Sequence, residues 1–292
     1  MSGTAATVAG LLHEATARLS GALGLAQREA RIEARALAVH AWGVETAWLI
    51  AHDTDVPSSA QAAAFHTLLE QRLTGRPIAY LTGAREFYGR PFAVGPDVLI
   101  PRPETELLVD QALGHLAADR PARVLDLGTG SGCVAITLAL ERPQAIVTAV
   151  DRSPAALALA RRNADALHAA VRFLHSDWFD AVAGERFDLI VGNPPYIAAA
   201  DPHLGRGDVR FEPLTALASG DDGFADLRRI IHDAPAHLAA GGWLWLEHGF
   251  EQADGARRLL REAGFAQVET RLDTAALPRI SGGRVSENFT ER

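Results

Sequence analysis

From Arg123 onward, short apolar runs alternate with helical stretches, and this alternation limits the possible folds more than any other feature of the chain. Arg123–Leu127, Ala145–Val150, Val171–Leu174 and Phe187–Gly192 are short, continuous and bounded by turn residues, the pattern of strands buried on both faces. Cys133–Leu140 reads as a helix, and Ser153-Pro154 starts another, with proline at its first position. Further on come a helix over Gly223–Leu238, a strand over Trp243–Leu246 after Gly241-Gly242, a helix over Glu251–Ala263, a strand over Gln267–Leu272 and a last segment from Arg279. Strands alternating with helices predict a mainly parallel sheet covered on both faces, an α/β fold.

The chain upstream reads differently. Residues 4 to about 75 are rich in alanine and leucine at helical spacing, as in Val8, Leu11, Leu12, Ala15 and Leu19. Gly21, Gly24, Gly43 and Gly75 punctuate them and Ser58-Ser59 opens a helix, so four or five short helices in a bundle are expected, with Trp42, Trp48 and Phe65 as core. From Ala79 to Pro103, aromatic and β-branched residues alternate with glycine and proline, which predicts a β-hairpin. Thr105-Glu106 before Leu107 and Leu108 looks like a helix opening, with Arg102 and Glu106 either capping and pairing locally or touching a cofactor. The expected domains are 1–84, a helical recognition domain; 85–103, a hairpin linker; and 104–292, the α/β domain.

Two loops at strand ends carry the chemistry. Gly128-Thr129-Gly130-Ser131-Gly132 joins the first strand to its helix, and Asp151 ends the second strand 21 residues past Gly130. A glycine turn followed by such an acid points to an adenosine-bearing ligand, the carboxylate accepting from ribose hydroxyls. The third glycine, Gly132, comes one residue earlier than a dinucleotide fingerprint requires and Cys133 stands in its place, which disfavours a nicotinamide cofactor. Asp177 and Trp178, at the end of the third strand, would flank an adenine, and Asp126 would fix the loop's amides or meet a ligand ammonium.

At the end of Phe187–Gly192 stands Asn193-Pro194-Pro195-Tyr196. Two prolines end the strand, since neither donates to a ladder. The Asn193 side-chain carbonyl and the Pro194 backbone carbonyl are two acceptors that can grip both hydrogens of a planar NH₂ group, with Tyr196 against its plane. An amide nitrogen is a poor nucleophile, and holding its hydrogens favours positive charge developing there. Asn-Pro alone often marks only a turn; four ligand-suited groups at four successive strand ends are a stronger signal.

Composition excludes several classes. At 292 residues the chain suits two domains, and it has no long apolar run and no basic-then-apolar leader. One cysteine rules out an internal disulfide and nothing resembles a zinc cluster, which fits the cytoplasm. A net charge of −8 argues against a broad nucleic-acid surface.

Leu125–Gly132 and Asn193–Tyr196 resemble S-adenosylmethionine-dependent amino-methyltransferases. Ile100-Pro101-Arg102-Pro103-Glu104-Thr105-Glu106, Ser176–Phe179, Gly207–Leu214 and Leu246-Glu247-His248-Gly249 are similar to the release factor glutamine methyltransferases, over nearly the whole chain. The ending Val285 to Arg292 departs from that pattern. The resemblance implies a Rossmann-like class I methyltransferase sheet behind a helical domain and hairpin. It implies S-adenosyl-L-methionine as cofactor, S-adenosyl-L-homocysteine as product, and N5-methylation of the glutamine in the Gly-Gly-Gln loop of bacterial class 1 peptide chain release factors. Carried over by position, Gly128, Thr129, Gly130, Ser131, Gly132, Asp151, Trp178 and Asn193 would contact cofactor. Asn193, Pro194, Pro195 and Tyr196 would hold the glutamine, with Asn193, Pro194 and Tyr196 catalytic. No metal, membrane or direct nucleic-acid partner is expected, and the chain is expected to be a monomer.

Three rival readings remain at this level. A sibling glutamine methyltransferase acting on a ribosomal protein would share the tetrapeptide, although Pro103-Glu104-Thr105-Glu106 favours the release factor enzyme. An adenine-N6 methyltransferase would use the same clamp on a flipped base. A nicotinamide oxidoreductase is opposed by the displaced glycine.

Overall fold

The structure is a computed structural model that describes residues 6–286. The start of the expected first helical stretch and the end of the atypical Val285–Arg292 tail therefore lie outside the described residues. The chain divides into two compact units, Met1–Ala84 and Arg85–Arg292.

Among the described residues the first unit contains five helices, α1 (Val8–Leu23), α2 (Gln27–Trp42), α3 (Thr46–Ala51), α4 (Ser59–Leu73) and α5 (Ile78–Thr82). Gly24 and Gly43 end α1 and α2 in the left-handed conformation, while Gly21 lies within α1 and does not break it. Ser58 opens α4 with a capping box to Gln61. Phe65 is buried at the centre, while Trp42 and Trp48 are only half-buried; the Trp42 ring touches both Trp48 and Phe65 and sends its N–H to the Gln61 carbonyl at 2.9 Å. Arg72 and Glu33 form a buried two-pronged ion pair, at 2.8 and 3.1 Å.

The second unit opens with the hairpin β1 (Ala84–Phe87) and β2 (Arg90–Ala93), joined through Tyr88 and Gly89, both at positive φ. The hairpin is shorter than expected. Ala79 and Tyr80 belong to α5, and Val94–Ile100 finds no partner strand, its end being held instead by the Glu212 carboxylate, which accepts from the Ile100 amide at 2.9 Å.

A seven-stranded sheet follows, with β3 (Ala122–Leu127), β4 (Ala145–Asp151), β5 (Val171–His175), β6 (Phe187–Gly192), β7 (Leu238–Glu247), β8 (Ala266–Leu272) and β9 (Pro278–Arg284) in the order β5-β4-β3-β6-β7-β9-β8. β3 to β7 are parallel, and β9 inserts antiparallel between β7 and β8. The helices are α6 (Glu106–His115), α7 (Cys133–Glu141), α8 (Pro154–Leu167), α9 (Ala225–Asp233) and α10 (Ala253–Glu262). The expected helix to Leu238 stops at Asp233 and passes into a tight turn over Ala234–His237, since Pro235 has no N–H for a helical bond. Two buried clusters flank the sheet, one holding Leu108, Val109, Ile136 and Trp245, the other Leu125, Leu127, Ile190, Leu227 and Leu244. From β3 the chain runs outward through β4 and β5, then returns to β6 on β3's other side. That reversal is the switch point, where ligands bind beyond the strands' carboxyl ends.

Candidate active site

The loops after β3, β4, β5 and β6 open on one cavity. Its wall includes Gly128, Thr129, Gly130 and Ser131 after β3, Asp151 after β4, Asp177 and Trp178 after β5, and Asn193 and Pro195 after β6. Arg102 and Thr105 from before α6, and Pro213, Thr215 and Ala216 from the β6–α9 connection, complete it. Of the residues expected at a site, Gly132, Pro194 and Tyr196 are not on the cavity wall; Pro194 stands between Asn193 and Pro195, which are.

The glycine loop is a backbone cradle. Gly128, Gly130 and Gly132 take φ of 70°, 54° and 83°, values that glycine adopts without the Cβ strain other residues carry. A Cβ on Gly128 would stand 3.3 Å from the Trp178 ring, and one on Gly132 would stand 2.8 Å from Ile136 and 3.1 Å from Ala160. Gly132 thus lets α7 approach α8 closely, the packing task of a third glycine carried out one residue early. The Asp151 carboxylate accepts from the Gly130 amide at 2.9 Å and the Ser153 amide at 2.8 Å, so one side chain ties the loop to the start of α8. Burial pushes Asp151 up, against those two amides. Beneath the loop, burial raises Asp126 to about 7 although the Thr129 hydroxyl (2.6 Å) and the Ala135 amide donate to it. Burial pushes the Cys133 thiol up to about 12, so it stays protonated and is no nucleophile.

Asn163 on α8 carried no sequence signal. Its amide donates to the Ser131 carbonyl at 2.9 Å and bonds both backbone groups of Ala93, joining the loop to the hairpin.

A different construction surrounds Asn193. Its Nδ2 donates to Thr105 Oγ1 at 3.2 Å, and Thr105 Oγ1 donates to Glu247 Oε2, at the end of β7, at 2.7 Å. The Tyr196 hydroxyl reaches Glu247 Oε1 at 3.5 Å, and the Tyr196 carbonyl accepts from Gln252 at 3.1 Å. Burial raises Glu247 to about 7, opposed by Thr105 and Arg279, and also pushes the Tyr196 hydroxyl up. The helix expected to open at Thr105-Glu106 does so, α6 starting at Glu106; Thr105 makes no capping bond, because a turn over Pro103–Thr105 precedes α6, and its hydroxyl goes to Glu247. Of the two residues expected either to pair locally or to touch cofactor, Glu106 accepts from the Tyr88 amide at 2.8 Å, while Arg102 pairs with Glu212, whose carboxylate is wholly buried. That pair holds the β6–α9 connection against the cavity.

The site fits an adenosine-bearing cofactor. The Ser131 hydroxyl is buried with no nitrogen or oxygen partner among the described residues, only the weakly bonding Cys133 thiol, the Trp178 ring closes on Gly128, and each Asp151 oxygen retains a lone pair beyond its backbone bond. Among the described residues, no group of acidic, histidine or cysteine side chains is arranged to hold a metal, and no helix is long and apolar enough to cross a membrane.

Sheet order, glycine cradle and the acid after β4 together define a class I methyltransferase. Fold comparison agrees: a methyltransferase from Pyrococcus furiosus superposes with a TM-score of 0.52 at 17% identity, over 74% of this chain and 97% of that one. A Thermus thermophilus 16S rRNA methyltransferase, solved with AdoMet and guanosine, gives a TM-score of 0.50 at 23% identity, over 69% of this chain and 49% of that one. The methyltransferase small domain family matches residues 104–205, and the PrmC N-terminal domain family matches residues 10–83. The release factor glutamine methyltransferase of Bordetella pertussis is 56% identical over 254 residues, 87% of this chain and 94% of that protein; its Escherichia coli counterpart is 46% identical over 262 residues, covering 89% and 94%. The chain belongs to the release factor glutamine methyltransferase family.

Proposed function

We propose that this protein methylates the N5 amide nitrogen of the glutamine in the Gly-Gly-Gln loop of bacterial class 1 peptide chain release factors. Family membership supports the substrate. The observation that carries the chemistry is that Asn193, at the end of β6, faces the same cavity as the glycine cradle and Asp151. S-adenosyl-L-methionine, when bound, supplies a methyl group on a positively charged sulfur, which makes a good leaving group.

The chain's own residues bind and align. Gly128 to Gly132 and Asp151 hold the ligand's polar end and ribose, and Trp178 packs beside its base. The Asn193 side-chain oxygen and the Pro194 carbonyl accept the two hydrogens of the glutamine NH₂. They thereby aim the nitrogen and stabilise the positive charge that grows on it, with Pro195 stiffening the turn and Tyr196 bracing it from behind. No strong base is required before transfer, because the amide nitrogen becomes acidic only as the new N–C bond forms and the sulfur–methyl bond breaks; the surplus proton then passes from the nitrogen to solvent. The helical unit supplies contacts to the release factor away from the glutamine, a role supported by its match to the PrmC N-terminal domain family. The reading implies a cytoplasmic reaction and a chain acting as a monomer.

The test is methyl transfer from radiolabelled cofactor to purified release factor, to a release factor with that glutamine replaced, and to ribosomal protein. Label on the first alone is expected; label on ribosomal protein alone would overturn the substrate assignment. Asn193→Ala should lower kcat by about 10²–10³ while cofactor affinity, read by calorimetry, stays within about twofold.

A further inference from the structure

The amide of Asn193 can serve the clamp in only one of its two orientations. With the oxygen toward the substrate it accepts a hydrogen; turned by 180° it sets NH₂ against NH₂ and repels the glutamine. The tetrapeptide itself does not choose between them, because an asparagine side chain at a strand end rotates readily about its last bond.

The chain of bonds behind Asn193 makes the choice. Thr105 Oγ1 has a single proton to give. Glu247 Oε2 lies 2.7 Å away, within the range of a hydroxyl donating to a carboxylate, and both residues are buried, at 3% and 1% exposure. Above about pH 7, where Glu247 is ionised, it can only accept, so the Thr105 proton is directed toward it. Toward Asn193, Thr105 then presents lone pairs alone. An N–H satisfies them, and Asn193 Nδ2 stands there at 3.2 Å. The reverse orientation would bring two acceptors together, or would withdraw the Thr105 proton and leave a buried carboxylate short of a donor, the costlier of the two faults. Asn193 Oδ1 accepts no hydrogen bond from the described residues, and Asn193 is half-buried on the cavity wall, so its oxygen is left for the ligand.

We infer that Thr105 and Glu247 are positioning residues that hold the Asn193 amide with its oxygen toward the substrate nitrogen. Glu247 sets the direction of the Thr105 hydroxyl, and Thr105 transmits it to Asn193. Neither touches the reacting atoms. This inference rests on the amide-clamp reading above and explains why residues from before α6 and from the end of β7 meet at the end of β6.

The test uses the full chain with purified release factor and labelled cofactor. Thr105→Val keeps the shape and removes the hydroxyl. It should lower kcat by about ten- to a hundredfold, the scale of a misaligned reacting group, with KM for release factor and cofactor affinity within about twofold. Thr105→Ser, which restores a hydroxyl, should recover most of that loss. In Asn193→Ala/Thr105→Val the second change should add nothing, since Thr105 acts through the amide already removed. Should Thr105→Val fail to bind cofactor, Thr105→Ala carries the same expectation with less bulk. A Thr105→Val enzyme with full kcat, or losses that multiply in the double variant, would overturn the inference. Full turnover in Asn193→Ala would strike the clamp itself, whereas a slow Asn193→Ala beside a fast Thr105→Val strikes only the positioning chain.

Discussion

At the β3–β4 end of the cavity the loop is held by its own amides, bonded to neighbouring backbone and to Asp151, whereas at the β6–β7 end side chains far apart in sequence hold one another. Both ends rest on a buried carboxyl raised to about 7, Asp126 beneath the glycine loop and Glu247 behind Asn193. Asp126 receives a hydroxyl from the loop it supports and an amide from the first turn of α7, three and nine residues on. Glu247 receives a hydroxyl from Thr105, 142 residues earlier. The cofactor end is thus a local device, shaped by glycine φ angles and closed by one aspartate. The amide end is assembled from three distant segments, and its precision depends on how they pack. A backbone cradle tolerates change in its surroundings; a side-chain clamp passes every displacement of its supports to the reacting atoms.

After the loss expected in Asn193→Ala, the next largest effect separates the two ends. Asp151→Ala should weaken cofactor binding by about 10- to 100-fold, the value of hydrogen bonds to a charged group, while kcat at saturating cofactor stays within about threefold. Calorimetry and initial rates together check this. A large kcat loss with unchanged affinity would mean that Asp151 works at the amide end.

Titration sharpens it further. Asp126 and Glu247 hold protons in the folded protein to about pH 7, while in the unfolded chain both ionise near their ordinary values around 4. Between these values the folded state binds more protons, so stability falls as pH rises and levels off above about 7. Each group contributes a slope approaching about 1.4 kcal/mol per pH unit. Asp126→Asn should remove one group's share, measured by urea unfolding across about pH 5 to 8. A variant with the wild-type slope would show that Asp126 is ionised throughout.

The smallest effect concerns Tyr196. Its hydroxyl stands 3.5 Å from Glu247, at the limit of a hydrogen bond. Tyr196→Phe should therefore cost about two- to tenfold in kcat, and a loss as large as that of Asn193→Ala would place the hydroxyl in the clamp.

The legible parts of the molecule are those whose reasons are local. The glycine loop could be read because Gly128, Gly130 and Gly132 stand in left-handed conformations that few other residues adopt. The strand Phe187–Gly192 was bounded correctly because Pro194 and Pro195 forbid its continuation. Asp151 was found by its spacing from Gly130, although its bond to the Gly130 amide was not. The readings that failed were those in which tertiary partners overrode local preference. The stretch after Ala93 looked like a strand, and Gly21 looked like a helix end. Asn163 was missed because nothing nearby in sequence distinguishes a helical asparagine facing solvent from one facing a loop.

By itself the sequence determined the layered fold, the ligand-binding edge and the residue types gathered there, since periodicity, glycine φ and proline geometry act within a few residues of chain. Only the tertiary structure decided which way those groups face. The partners that orient Asn193 arrive from α6 and β7, and a hydroxyl's single proton has no direction until both are in place.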